Sequence, residues 1–326
     1  PDFPLAIPYS RRILDRIPEL GLELVHAHSP FLMGQVALRV ARRQGIPLVF
    51  TYHTLYTEYL HYVPLISPRV LRPVVLRYTT AYCNRCECVI APSQAVRRLL
   101  RAHGVSAPIE VLPTAGIEPE AFASADPSWV RPRFRIPPDK PLVITVSRLT
   151  REKSVHLVIE AFQEIHRATG AFLLVVGGGP EEQSLRDLAD ALGISRAVVF
   201  TGSLSHPLVV DCCVASDLFL FASQTETQGI VLVEAMAAGL PVVAVDAGGV
   251  GDAVIEGVTG HLVPPDPRAL AERAIPLLLD GEARKKMGER AREASLGFAV
   301  HRLVEELERI YSALTGLLAV PGKGGE

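Results

Sequence analysis

The strongest constraint on the fold is an alternation that runs twice along the chain: a short apolar run closed by Gly, Pro or a polar turn, then a stretch with helical spacing. ELVHAH (23–28), PLVFTYH (47–53), CVIAPS (88–93) and IEVLPTAG (109–116) are short and apolar, and read as buried strands. Between them FLMGQVALRVARRQG and SQAVRRLLRAHG carry helical periodicity. A second series follows: PLVITVS (141–147), AFLLVVGGG (171–179), AVVFTG (197–202), DLFLFAS (217–223), PVVAVDAGG (241–249) and GHLVPP (260–265), again separated by helical stretches. Strand–helix alternation of this kind builds parallel sheets with crossover helices. The expected fold class is therefore α/β, with two Rossmann-like, doubly wound parallel sheets facing a cleft. SWVRPRFRIPPDKP (128–141), rich in Pro and Arg, reads as the linker, giving domains at 1–138 and 139–326. The tail AVHRLVEELERIYSALTGLL reads as an amphipathic closing helix, 297–318, returning toward the first domain.

Composition narrows the function classes. Hydrophobic residues make up 48% of the chain, enough for sizeable cores, yet no run approaches the ~18 apolar residues of a membrane span. PDFPLAIPYSRR has no apolar core of the kind a secretory leader carries, so the expected location is the cytoplasm. Residues 1–138 hold 16 Arg, no Lys and 10 acids, a net +6; the remainder holds 17 Lys/Arg and 25 acids, a net −8. Opposite halves suggest different partners. The cysteines, at 83, 86, 88, 212 and 213, lack the spacing of a zinc site or a disulfide framework and read as buried thiols.

The sharpest chemistry lies in TETQGIVLVE (225–234), the turn and helix start after the strand DLFLFAS. Ligands of open α/β sheets bind outside the carboxyl ends of strands, and a helix start offers unpaired N–H groups and a positive dipole end to an anion. Gly229 lets the backbone approach closely. Eight residues of helix rise about 12 Å, so Glu226 and Glu234 can bracket a ligand but cannot share a proton. After PLVITVS, RLTREK supplies Arg148 and Lys153, two cations that a diphosphate leaving group requires; solvated surface charges are the alternative reading. VVGGGP (175–180) is not GxGxxG and reads as a tight turn rather than a dinucleotide fingerprint.

Together VSRLTREK, VVGGGPEE, FTGSLS, SQTETQGIVLVEAMAAGLPVVA and GHLVPPDP, in that order, resemble the donor half of family-4 retaining glycosyltransferases with the GT-B fold. That resemblance implies that Arg148 and Lys153 hold a nucleotide diphosphate and that Glu226 lies near the donor-sugar hydroxyls. It further implies that Gln228, Gly229, Ile230 and Val231 present backbone amides, and that Glu234 holds the ribose. Ser203 and Leu204 would border the base. Ser147 stands where Gly is usual, and LSHPLVVDCC replaces the usual acidic helix start.

In the first half, TYHTLYTEYLHYV (51–63), with VHAHSPFLMG before it, resembles the branch of this family that glycosylates diacylglycerol, with mannosyl-lipid relatives nearby. The resemblance implies that His53 lies beside the reacting sugar, with His28 and His61 on the acceptor side. Between residues 68 and 101 seven Arg face one acid, Glu87. Arg69, Arg72 and Arg77 are candidates for an anionic membrane surface, an Arg-rich soluble face being the alternative; no stacking platform or motif points to nucleic acid. Family members normally begin with a further half-sheet and a Gly-rich loop, so a fragment is expected, its first strand (23–28) left with an unpaired apolar edge.

The expected protein is a retaining hexosyltransferase, peripheral on the cytoplasmic face of the plasma membrane, moving glucose from UDP-glucose to a lipid hydroxyl such as diacylglycerol. It would need no cofactor and no metal, Arg148, Lys153 and the helix-start amides carrying the leaving-group charge. Alternatives are a mannosyltransferase using GDP-mannose, a nucleotide-sugar epimerase, and an inactive homologue that binds nucleotide-sugar or membrane.

Overall fold

The computed structural model describes residues 16–62 and 67–316. The chain divides into two compact units, Pro1–Thr114 with His301–Glu326, and Ala115–Val300. Each is a parallel sheet wrapped by helices, the α/β class expected.

In the first unit the strands β1 (Val25–Ala27), β2 (Leu48–Thr51), β3 (Cys88–Ala91) and β4 (Ile109–Val111) pair in the order 1-2-3-4, all parallel. Helices α1 (Met33–Gln44), α2 (Pro68–Cys83) and α3 (Gln94–Ala102) make the crossovers. Every residue of β2 and β3 is buried because alternate side chains enter two different cores. Leu48, Phe50 and Val89 pack with Leu38, Tyr82 and Leu100. Val49, Cys88 and Ile90 meet Leu303, Leu307, Ile310, Tyr311 and Leu314 of the C-terminal helix, Val300–Thr315. That apolar spacing is one helical stripe, which is why a helix far along the sequence closes this unit. Among the described residues β1 pairs with β2 alone.

In the second unit β5 (Leu142–Val146), β6 (Phe172–Val176), β7 (Val198–Gly202), β8 (Leu218–Phe221), β9 (Val242–Val245) and β10 (Gly260–Val263) take the order 10-9-8-5-6-7, all parallel. The longer helices are α4 (Val155–Thr169), α5 (Glu182–Ala191), α6 (His206–Val214), α7 (Ile230–Ala237), α8 (Pro267–Leu279) and α9 (Gly281–Ser295). Val143, Leu173, Leu218 and Val243 face the α4 and α8 side, against Phe162, Ile165, Leu270 and Leu277. Ile144, Leu174, Phe219 and Ala244 face the α6 and α7 side, against Val210, Leu232 and Met236. The chain runs outward through β5, β6 and β7, then returns to lay β8 on the other flank of β5. The β5–β8 pair is thus a topological switch point, and a crevice opens beyond the carboxyl ends of those strands.

The stretch read as a linker is structure. Pro127–Trp129 and Val130–Phe134 are helical turns, and Val130 and Ile136 are buried in the same core as Ile144 and Leu232. The Trp129 indole N–H donates to Asp211 Oδ2 at 2.8 Å, and the Asp126 backbone N–H donates to Asp211 Oδ1 at 2.9 Å. Arg131 reaches Asp217 at 3.2 Å. The composition is that of a linker, but Val130 and Ile136 among the Arg and Pro residues are enough to anchor 115–138 in the second unit rather than the first. Among the described residues no helix is long and apolar enough to cross a membrane.

Candidate functional site

The crevice is shaped by backbone contacts that only glycine permits. After β5, the Ser147 N–H donates to Val176 O at 3.1 Å and the Leu149 N–H to Gly178 O at 3.0 Å. This draws the 147–149 loop against the 177–179 loop so tightly that a Cβ at Gly177 would lie 1.9 Å from Ser147 O. Gly177 also has φ +131°, a conformation other residues avoid. After β8, the TETQG turn is held from outside: the Gly249 N–H donates to Glu226 O at 2.8 Å, and a Cβ at Gly248 or Gly249 would strike the carbonyl oxygens of Glu226 or Thr227 at 2.3 Å. From inside, Gln228 grips residue 115 at two points, accepting from the Ala115 N–H at 3.1 Å and donating to Ala115 O at 2.5 Å. Gly229, with φ 75°, then begins α7.

These loops carry a concentrated set of charges. Lys153 Nζ lies 2.6 Å from Glu226 Oε1, the two side chains only 12% and 17% exposed. Arg148 projects outward, with Glu152 at 4.0 Å. Glu234, one helical turn into α7, accepts from His206 Nε2 at 2.9 Å. Arg148, Lys153, Leu204, Glu226, Ile230, Val231 and Glu234 all line one cavity of about 400 Å³, with Val146, Val209 and Phe221 as its apolar wall. Four buried hydroxyls, on Ser147, Thr150, Ser223 and Thr225, have no hydrogen-bond partner among the described residues, and each follows the end of β5 or β8 by a few residues. A buried hydroxyl left unpaired costs about 1–3 kcal/mol, and of the four only that of Ser147 belongs to a residue lining the cavity. Arg148, Lys153 and the first N–H groups of α7 are groups able to bind an anion, and the carboxylates of Glu226 and Glu234 stand beside them.

Seven of the eleven residues expected at the nucleotide and catalytic end thus meet in this one cavity. Ser203 sits beside it, its Oγ against Gly178. Gln228 differs from expectation in its side chain, which is buried and turned to Ala115; Gln228 and Gly229 frame the turn. His206 and the Gly248–Gly249 clamp are additions. The pair of glycines closing VVAVDAGG was the available signal for the clamp; for the His206–Glu234 contact there was none.

The remaining expected site residues belong to the first unit. His53 follows β2, half-buried, and His28 follows β1; His28 Nδ1 and His53 Nε2 are 2.8 Å apart. Burial, and then His28, hold the His53 ring below the usual histidine pKa. His26, behind them, is lowered to about 4 by burial and then by His28 and His53, so it is neutral at pH 7. Arg69, Arg72 and Arg77 are exposed on α2. Beside them Val70, Val74 and Tyr78, at i, i+4 and i+8, are 63%, 60% and 37% exposed, an apolar row flanked by cations. The His61 side chain lies outside the described residues. All five cysteines are free and buried, with burial raising Cys83 to about 12 and Cys88 to about 11.

Comparison with known proteins places this architecture. Residues 130–294 match the family described as glycosyl transferases group 1, and residues 1–120 match glycosyltransferase family 4. The sulfoquinovosyl transferase SQD2 of Arabidopsis thaliana is 33% identical over 307 residues, covering 89% of this chain and 56% of that protein. The alpha-monoglucosyldiacylglycerol synthase of Streptococcus pneumoniae is 31% identical over 240 residues, covering 72% and 54%. The chain therefore spans little more than half the length of these curated relatives. The crystal structure of Anabaena Alr3699/HepE in complex with UDP and glucose superposes with a TM-score of 0.79 at 25% identity, over 93% of this chain and 82% of that one.

Proposed function

The chain belongs to the glycosyl transferases group 1 family, with two Rossmann-like units of the GT-B type, and on that premise we propose that it moves a hexose from a nucleotide-sugar to a lipid hydroxyl. The observation that carries this reading is the crevice at the β5–β8 switch point, where Lys153, Arg148 and the start of α7 converge. A departing nucleotide diphosphate gains a negative charge there as its bond to the sugar breaks, and pre-oriented cations and amides stabilise it without reorganising. In this reading these groups carry the leaving-group charge without a metal. Glu226, held by Lys153, faces the sugar hydroxyls; Glu234 takes the ribose; Ser203 and Leu204 border the base. The paired rings of His28 and His53 meet substrate hydroxyls on the first unit.

UDP-glucose is the donor we favour, with retention of configuration. Support comes from the relatives: one is named for monoglucosyldiacylglycerol, and the Anabaena structure holds UDP and glucose. Diacylglycerol at the cytoplasmic membrane face is the acceptor we favour. Support comes from α2, whose exposed Val70, Val74 and Tyr78 would enter the interface while Arg69, Arg72 and Arg77 meet anionic headgroups. Each such charge contributes about 1 kcal/mol near an anionic surface, enough in sum for reversible peripheral binding.

The test is product formation on phosphatidylglycerol-containing vesicles, with and without diacylglycerol, using UDP-glucose or GDP-mannose. An α-glucosyl lipid formed only from UDP-glucose with diacylglycerol is the expected result. Transfer from GDP-mannose alone would change the donor, and an epimerised nucleotide-sugar formed without acceptor would overturn the reading.

A further inference from the structure

The first unit carries a hollow of about 340 Å³ that sugar transfer leaves unused, lined by Gln35, Leu38, Arg39, Arg42 and Arg43 of α1 and by Arg85. Leu38 is buried at its base, Arg39 is half-buried and the other three arginines are exposed. Among the described residues none of the four guanidinium groups pairs with a carboxylate. Glu87, the acid nearest Arg85 in sequence, is engaged elsewhere: its Oε2 accepts from the Leu48 backbone N–H at 2.7 Å.

The frame of the hollow is fixed on both sides. Arg85 stands on the turn that follows α2, where its N–H donates to Tyr82 O at 3.0 Å. Beside it Asn84 pins the turn, Nδ2 donating to Gly104 O at 3.1 Å and Oδ1 accepting from the Ser106 N–H at 2.7 Å. On the facing helix Gln35 Nε2 donates to the Tyr78 hydroxyl at 2.8 Å and to Pro30 O at 3.1 Å, which ties α1 to α2.

Helix position accounts for only half of the charge. Arg42 and Arg43 lie in the last turn of α1, where cations offset the helix dipole. Arg39 precedes them by three and four residues, the spacing at which like charges oppose a helix, and Arg85 adds a fourth charge from another element. An anion with several oxygens relieves that repulsion, and the planar guanidinium fork matches phosphate oxygens two at a time. No aromatic ring lines the hollow, so a nucleobase has nothing to stack on there.

We propose that Arg39, Arg42, Arg43 and Arg85 form a binding site for a phosphate-bearing anion, the same chemistry being offered by a soluble phosphate and by the headgroup of an acidic lipid. The site belongs to the first unit and the crevice to the second. Because α1 runs away from the carboxyl end of β1, the arginines also lie apart from His28 and His53. The site stands independently of the sugar-transfer reading.

Two probes distinguish the sources. Inorganic triphosphate, followed by titration calorimetry, tests a soluble anion; vesicles of equal parts phosphatidylglycerol and phosphatidylcholine, followed by flotation against phosphatidylcholine alone, test a headgroup. Arg39→Gln combined with Arg85→Gln should weaken binding of at least one probe on the order of 30-fold, and the probe affected identifies the source. The double variant should melt no lower than the parent, because it relieves like charges, and its UDP affinity should be unchanged. Lys153→Ala, conversely, should leave the hollow's affinity intact. The control is Arg97→Gln with Arg98→Gln, exposed on α3 and outside the hollow, which should change either affinity less than about threefold. An equal loss from that control would reduce the effect to the charge of the unit as a whole and overturn the site. Failure of both probes to bind, or binding that the Arg39–Arg85 pair does not alter, would overturn it as well, and neither result would touch the crevice.

Discussion

Lys153→Ala should weaken UDP binding on the order of 100-fold, the effect of truncating one member of a desolvated charge pair. Two consequences of the substitution act in the same direction. The ammonium that would meet the diphosphate is lost, and Glu226, now 2.6 Å from that ammonium, is left as an uncompensated carboxylate in the crevice. Both weaken the hold on an anionic ligand. The companion variant gives the opposite sign: Glu226→Gln keeps the cation and frees it from its partner, so UDP should bind at least as tightly as before, while sugar transfer is lost. Titration calorimetry with UDP measures both, with a melting curve as the folding control. If Lys153→Ala bound UDP normally, the cation would be a surface charge and the leaving-group role would fall.

Gly177→Ala should destabilise the second unit by about 3 kcal/mol, combining a forced close contact with a disfavoured backbone conformation. The obstacle is backbone: the added methyl would sit 1.9 Å from Ser147 O, at φ +131°. Relief requires the 147–149 loop to retreat, which displaces Ser147 and Arg148 from the crevice, so UDP affinity should fall along with stability. Gly178→Ala is the control. Its methyl is crowded by Ser203 Oγ at 2.9 Å and touches Ser203 N at an ordinary 3.7 Å; a serine side chain can rotate away, so the loss should stay below about 1 kcal/mol. Denaturant melts of the two variants decide the point, and equal losses would show that loop contact is not what the glycines serve.

The parts of this molecule legible in its sequence are those set by local pattern. Runs such as LVITV and LFLF are apolar throughout because both faces of a parallel strand are covered, and β5 and β8 lie inside the stretches expected of them. The TETQG turn and the helix after it were legible for the same reason. The Pro–Arg segment misled because composition was weighed above Val130 and Ile136, whose burial depends on contacts with β5 and α7. Long-range contacts were hidden as well. Gly248 and Gly249 support Glu226 from more than twenty residues away, and Gln228 reaches back to Ala115 across more than a hundred. HAH and TYH announced histidines at two strand ends, yet only the β1–β2 pairing, His26 opposite Val49 and Ala27 opposite Phe50, sets His28 against His53.

The most direct test is a crystal structure of this chain with UDP bound. Diphosphate oxygens should lie about 3 Å from Lys153 Nζ and from the backbone nitrogens at the start of α7, with the ribose at Glu234. A nucleotide lodged elsewhere, with the β5–β8 crevice holding only solvent, would contradict the account at its root.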